Sequence, residues 1–256
     1  MTGDHGMTYL FSHAGREELR DFVDRSTLFA FDLDGTLAPI VADPSRIMIP
    51  PDVHERLVRL NGMASVAVVT GRARADAARH LGFEPRFLVG NHGAEGLPGA
   101  DAAERGFVSL CRGWRTQLGA LLPEGEGTGI VMEDKGATLS LHYRSAPARE
   151  TAHQRILDAV SRLVPAPRRV SGKEVENLVP AAAPHKGDAL RRIMRHLGNA
   201  RALFVGDDVT DEDVFRLGDE AIFGVRVGSS AGTAARYFIR GQDEMASLLD
   251  EVLATF

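Results

Sequence analysis

Thr27-Leu28-Phe29-Ala30-Phe31-Asp32-Leu33-Asp34-Gly35-Thr36-Leu37 is the stretch that decides the fold. An uncharged run meets two aspartates set two positions apart, then a glycine. The run reads as a strand buried on both faces. Residues i and i+2 of a strand share a face. Both carboxylates therefore fall at the carboxyl end of one strand, the usual ligand position of an open α/β sheet. Two carboxylates so close repel one another, and a bound cation relieves that. Mg2+ suits such a pair, since it is held through a few carboxylates together with phosphate oxygens. Aspartate is also a covalent nucleophile for phosphoryl groups, and the second aspartate is placed to move a proton at the leaving oxygen. Taken alone, the same residues also describe an ordinary strand-to-turn junction, where Asp and Gly are common.

Further apolar runs end as abruptly: Ser65–Val69, Phe87–Val89, Ala202–Val205 and Ala221–Val227. Helical periodicity lies between them, with Val53, Leu57 and Leu60 on one face of Pro51–Leu60 and Leu190, Ile193, Met194 and Leu197 on one face of Lys186–Leu197. Strand–helix alternation predicts a parallel sheet with right-handed crossovers. The middle of the chain differs. A helix over Ala102–Leu122 precedes strands at Gly129–Glu133 and Ala137–Tyr143. A helix over Ala148–Leu163 precedes strands at Arg168–Ser171 and Glu174–Val179. In Ala137–Tyr143, Thr138, Ser140 and His142 alternate with Leu139, Leu141 and Tyr143, as in a half-exposed strand. The expected fold is therefore α/β: a Rossmann-like core with parallel sheet, split as 1–98 and 184–256, and an inserted α+β (αββαββ) domain over 99–183. Gly96–Gly99 and Pro180–Pro184 read as its hinges.

A second acidic strand end supports the first. Ala202–Val205 runs into Gly206-Asp207-Asp208-Val209-Thr210-Asp211-Glu212-Asp213, with five acids in seven positions. Acids favour the first turn of a helix, which accounts for Asp211–Asp213 as a solvated helix start. It accounts poorly for Asp207, the residue nearest the strand. Ser65–Val69 ends in Thr70-Gly71-Arg72, where a hydroxyl and backbone N–H groups at a strand-to-helix turn make a phosphate cradle. Lys186 opens a helix, where its charge opposes the dipole. Neutralising phosphate and carboxylates would justify it.

Composition sets the limits. Thirty basic residues against 35 acidic ones give a net charge of −5, which argues against nucleic acid as a partner. No run approaches about 18 apolar residues, so no membrane span is expected. A single cysteine, Cys111, forms no internal disulfide, and the first residues lack the basic-then-apolar order of a signal peptide. A cytoplasmic location is the expectation, with no obligate protein partner evident. Only three basic residues are lysine, Lys135, Lys173 and Lys186. A chain that uses arginine wherever a charge suffices keeps lysine where a compact ammonium matters, although a few lysines also survive by chance.

In order and spacing, Asp32–Thr36, Thr70, Lys186 and Gly206–Asp208 resemble the motifs of the haloacid dehalogenase (HAD) superfamily of aspartate-nucleophile phosphatases, with the insert where type-2 caps occur. FDLDGTLAPI (Phe31–Ile40), VVTGR (Val68–Arg72), GNHGAE (Gly90–Glu95), MEDKGATLSLHYR (Met132–Arg144) and GDDVTDEDVF (Gly206–Phe215) narrow the resemblance to the trehalose-6-phosphate phosphatase family. The resemblance implies a Mg2+-dependent phosphatase acting on a small-molecule sugar phosphate. It implies Asp32 as nucleophile and Asp34 as acid/base. Asp32, the Asp34 carbonyl and Asp207 would hold Mg2+, and Thr70, Gly71 and Lys186 the phosphate. Arg72, Asn91 and His92 would face the sugar, with Glu133, Lys135, His142, Arg144 and Lys173 in the cap recognising hydroxyls. The cap would close over the sugar and open for product release.

The chain departs from the family at Asn177, where a glutamate is usual, and at Val179, where a basic residue is usual. Asn177 can still hydrogen-bond a sugar hydroxyl, but it is uncharged and shorter. Glu176, one residue off, is expected on the opposite face of its strand. Two other readings therefore stand beside trehalose 6-phosphate: a capped phosphatase for another sugar phosphate or a glycosyl-phosphoglycerate, and a non-catalytic sugar-phosphate sensor. His185 also stands where the family often has aspartate. By local sequence, His92 equally caps a turn, His142 is an exposed strand residue and Trp114 is packing. Arg191, Arg192 and Arg195 form a solvated helix face. Residues 1–25 read as a tail and a surface helix.

Overall fold

The computed structural model describes residues 7–122 and 128–256. In chain order the strands are β1 (Thr8–Tyr9), β2 (Leu28–Phe31), β3 (Ser65–Val69), β4 (Phe87–Val89), β5 (Val131–Asp134), β6 (Leu139–His142), β7 (Arg168–Gly172), β8 (Val175–Val179), β9 (Ala202–Gly206), β10 (Ile222–Val227) and β11 (Tyr237–Ile239). The α-helices are α1 (His13–Phe22), α2 (Pro51–Met63), α3 (Arg74–Leu81), α4 (Asp101–Leu121), α5 (Arg149–Val160), α6 (Lys186–Leu197), α7 (Glu212–Phe215) and α8 (Met245–Leu253). The chain divides into two compact units, Met1–Gly93 with His185–Phe256, and Ala94–Pro184.

The first unit is an α/β layer structure on a seven-stranded sheet, ordered β1-β11-β10-β9-β2-β3-β4, with every pair parallel. Its middle strands have no polar face. All four residues of β2 and all five of β9 are buried, as a sheet covered on both sides requires. Phe29, Phe31, Leu203 and Val205 share a core with Val53, Leu57 and Leu60 of α2 and Leu248, Leu249 and Val252 of α8. Helix α2 starts at a proline, whose missing N–H costs nothing at that position. Helix α6 starts with a reciprocal cap: His185 Nδ1 accepts from the Asp188 N–H at 3.2 Å. The histidine thus does the capping work of the aspartate usual there.

The β2–β9 adjacency positions the site. Phe31 lies opposite Val205, and the Asp32 N–H donates to the Val205 carbonyl at 2.9 Å. The two acidic motifs therefore leave the sheet side by side from the same edge. The amino-terminal tail expectation needs correction. Thr8–Tyr9 is an edge strand paired with β11, and Leu10 and Leu19 are buried. A two-residue strand is too short for a periodic signal. The part of that expectation falling on residues 1–6 lies outside the described residues.

The second unit has the expected order of helices and strands. Its sheet, β5-β6-β8-β7, is antiparallel throughout. Leu139, Leu141 and Leu178 face helices α4 and α5, packing with Trp114, Leu118 and Ile156. Glu133, Ser140 and Asn177 are cross-strand neighbours and project from the other face with His142, two residues on from Ser140. Glu176 projects from the helix side, where it meets His153 of α5 at 3.0 Å.

Trp114 is fully buried, and its indole N–H donates to the Pro165 carbonyl at 2.7 Å. Trp114→Ala is expected to destabilise this unit by about 3–5 kcal/mol. Urea unfolding followed by circular dichroism would show it, and an unchanged midpoint would contradict the packing described.

Candidate active site

Three segments far apart in the chain meet at the carboxyl edge of the parallel sheet. Asp32 follows β2, Asp207 and Asp211 follow β9, and Lys186 is the first residue of α6. The Lys186 ammonium donates to Asp32 Oδ1 at 2.9 Å and to Asp211 Oδ1 at 2.7 Å. All three side chains are buried, with Asp211 at 0% exposure. Asp211 Oδ2 accepts from the backbone N–H groups of Asp207 and Asp208, at 2.9 Å each. This carboxylate therefore shapes the loop that carries Asp207. The solvated helix-start expectation fails for Asp211 and Glu212, both buried. The overlooked signal is Gly206: a Cβ there would lie 2.3 Å from Asp211 Cγ, so the glycine marks where the loop folds back on its own strand.

Gly35 plays the matching part after β2. Its φ is +85°, and a Cβ would meet Asp207 Oδ2 at 2.1 Å. Thr36, also missed by sequence reading, donates its hydroxyl to Asp207 Oδ1 at 3.1 Å. Asp34 does not join the three clustered carboxylates. Its two oxygens accept from Arg72 Nε and Nη2, both at 2.7 Å. Arg72 Nη1 donates to Asp76 at 2.7 Å, and Nη2 also reaches the Pro44 carbonyl at 2.8 Å. The guanidinium expected to face a sugar is thus engaged by protein on each nitrogen.

Thr70 is buried at the end of β3, and its Oγ1 accepts from the Arg72 N–H at 3.2 Å. The Asn91 N–H donates to the Arg72 carbonyl at 2.7 Å, and the His92 N–H to the Thr70 carbonyl at 2.9 Å. Asn91 and His92 both adopt positive φ, +52° and +59°, a conformation that persists in non-glycine residues only when surroundings impose it. Gly71 leaves room for the His92 ring, whose Cε1 would lie 2.4 Å from an added Cβ.

In the second unit, His142 Nε2 lies 2.8 Å from Glu133, and Lys135 Nζ lies 3.8 Å from the same carboxylate. Arg144 donates to Glu174 at 3.0 Å. Lys173 is exposed at the β7–β8 turn. Asn177 is buried: its carbonyl oxygen accepts from Ser140 Oγ at 2.6 Å, and its amide donates to the Val170 carbonyl at 3.0 Å.

The electrostatics suit a cation. Asp32, Asp207 and Asp211 offer oxygens within 4.8 Å of one another. Three carboxylates against one ammonium leave two negative charges uncompensated, the charge of one divalent ion. Burial pushes Asp32 well above the usual carboxylate range, against the pull of Lys186. Burial, reinforced by Asp211, pushes Asp207 up to about 7. Burial also works against the charge on Lys186, but Asp211 and Asp32 outweigh it and hold the ammonium above its ordinary value.

The profile of the trehalose-phosphatase family matches residues 30–239. A trehalose-phosphate phosphatase from Mycobacterium bovis is 30% identical over 84% of this chain and 57% of its own. A probable trehalose-phosphate phosphatase from Sinorhizobium fredii is 32% identical over 76% of this chain and 74% of its own. The structure of the Candida albicans trehalose-6-phosphate phosphatase C-terminal domain aligns over 98% of this chain and 99% of its own, with a TM-score of 0.74 at 20% identity. The chain spans little more than half the length of the mycobacterial relative. Among the described residues, no helix is long and apolar enough to cross a membrane.

A parallel core with an inserted helix-and-strand unit, and an aspartate-lysine-aspartate cluster at its carboxyl edge, define a HAD-superfamily fold of the capped type. Within that superfamily the chain belongs to the trehalose-phosphatase family.

Because Asp207 titrates upward in the folded chain, the stability it contributes is present below pH about 4. It is lost as pH rises through about 7. A cation that replaces the proton reverses this loss. The rise in Tm on adding Mg2+ is therefore expected to be larger at pH 8 than at pH 5.5 by differential scanning fluorimetry. An equal rise at both values would contradict the assignment.

Proposed function

We propose that this chain is a Mg2+-dependent sugar-phosphate phosphatase whose substrate is trehalose 6-phosphate, cleaved to trehalose and phosphate through an aspartyl-phosphate on Asp32. The observation that carries the reading is the convergence of Asp32, Lys186 and the Asp207–Asp211 loop at one sheet edge. The substrate is suggested by membership of the trehalose-phosphatase family and by its trehalose-phosphate phosphatase relatives.

In this reading an Asp32 carboxylate oxygen attacks phosphorus in line, and the bond from phosphorus to the sugar oxygen breaks. Asp34 gives a proton to that oxygen, then takes one from the water that hydrolyses the aspartyl-phosphate. Lys186 orients Asp32 and favours its ionised form. Asp32, Asp207 and the Asp34 carbonyl would hold Mg2+, which when bound supplies charge neutralisation at the phosphoryl oxygens. Thr70 and the Gly71 N–H contact phosphate. Asp34 must leave its pairing with Arg72 to carry a proton, so Arg72 positions the resting acid. Asn91, His92, Glu133, Lys135, His142, Arg144 and Lys173 serve sugar recognition, the last five from the inserted unit.

A second reading rests on Asn177. Its amide is engaged by Ser140 and Val170, where the family usually presents a glutamate. This favours a related phosphatase acting on a different sugar phosphate or a glycosyl-phosphoglycerate.

Phosphate release across a sugar-phosphate panel separates the readings. Trehalose 6-phosphate is expected to give the highest kcat/KM. Preference for a monosaccharide phosphate would overturn that substrate, and substrate binding without Mg2+-dependent release would indicate a sensor. Asp32→Asn is expected to slow turnover at least ~10³-fold while leaving the fold intact. Near-normal turnover would remove Asp32 as nucleophile.

A further inference from the structure

The acidic loop after β9 is gripped from a second side by a residue to which the reaction assigns nothing. Arg226 lies in β10 directly opposite Gly206. Its neighbours Val225 and Val227 enter the core, so its side chain leaves on the opposite face of the strand. There Nη2 donates to the Asp207 main-chain carbonyl at 2.5 Å, and Nη1 to Glu212 Oε1 at 3.0 Å. Glu212 Oε2 accepts from the Ala234 N–H at 2.8 Å. The pair is poorly accessible, with Arg226 at 13% and Glu212 at 6% side-chain exposure.

This arrangement does something Lys186 does not. Lys186 acts on carboxylate oxygens, whereas Arg226 fixes the backbone of Asp207 and the far end of the same loop with one rigid guanidinium. A planar fork reaches two acceptors at a set separation, which an ammonium does not. We infer that Arg226 is a positioning residue for the divalent-cation site: it sets the Asp207 backbone so that the side chain is pre-aimed, with Glu212 as the buried counter-charge that fixes the fork. The inference rests on the reading of Asp32 and Asp207 as cation ligands. Groups that orient metal ligands typically matter 10- to 100-fold in affinity.

The test must separate aim from bulk stability, because Arg226→Met alone strands a buried Glu212 charge. Three proteins are compared: the unaltered chain, Arg226→Met, and the double variant Arg226→Met with Glu212→Gln. Tm is measured without metal, and the Mg2+ dissociation constant by calorimetric titration of the full chain. Arg226→Met is expected to lower the metal-free Tm, and the double variant to recover most of that loss. In both, the Mg2+ dissociation constant is expected to rise at least about tenfold. A double variant with recovered Tm and unaltered Mg2+ affinity would overturn the inference, leaving Arg226 a stabilising residue only. If the unaltered chain gives no Mg2+ binding signal, the cation reading itself falls, and the inference with it.

Discussion

A buried ammonium shared between two carboxylates organises this molecule. Lys186 stands at the positive end of a helix and out of water, a place that disfavours its charge twice over. It is stable there because Asp32 and Asp211 lie within hydrogen-bonding distance. Lys186 in turn offsets part of the cost of burying each carboxylate. The end of β2, the loop after β9 and the start of α6 are thus tied by one charge balance. Loss of Lys186 would leave both carboxylates buried without their counter-charge, a much larger cost than the net value of the intact cluster.

That balance is deliberately incomplete in charge. One cation against three acids leaves an excess that burial amplifies, and the upward shift at Asp207 expresses it. The glycines show how closely the groups are brought. Gly35 and Gly206 each lie where a methyl group would collide with a carboxylate of the cluster. Close approach of like charges and absence of side chains are two aspects of one design: a largely buried, negatively charged cluster at the carboxyl ends of two central strands.

Much of this was legible in the chain itself. The apolar runs before Asp32 and Asp207 foretold central strands, because short Val- and Phe-containing runs that stop at Asp or Gly suit a sheet covered on both faces. The inserted unit was legible through the alternation around Ser140, and Glu176 and Asn177 do occupy opposite faces, as a period of two demands. Asp211 was misread because a carboxylate at a helix start is normally solvated. Its burial depends on Lys186, 25 residues earlier, and no local rule contains that. Arg72 shows a similar limit: its partners Asp34 and Pro44 come from a different loop. Edge strand β1 and its neighbour β11, two and three residues long, were too short to carry a pattern.

The parallel arrangement has a further outcome during synthesis. The central strand β2 has β9 as one of its neighbours, and Leu28 pairs with Ala202. A ribosome must therefore translate the entire inserted unit before the strand bearing Asp32 gains its second companion. Until then the nascent core holds an unfinished, apolar edge, the kind of surface that invites association with other chains. A self-contained insert able to collapse early keeps those intervening residues compact while the remainder emerges.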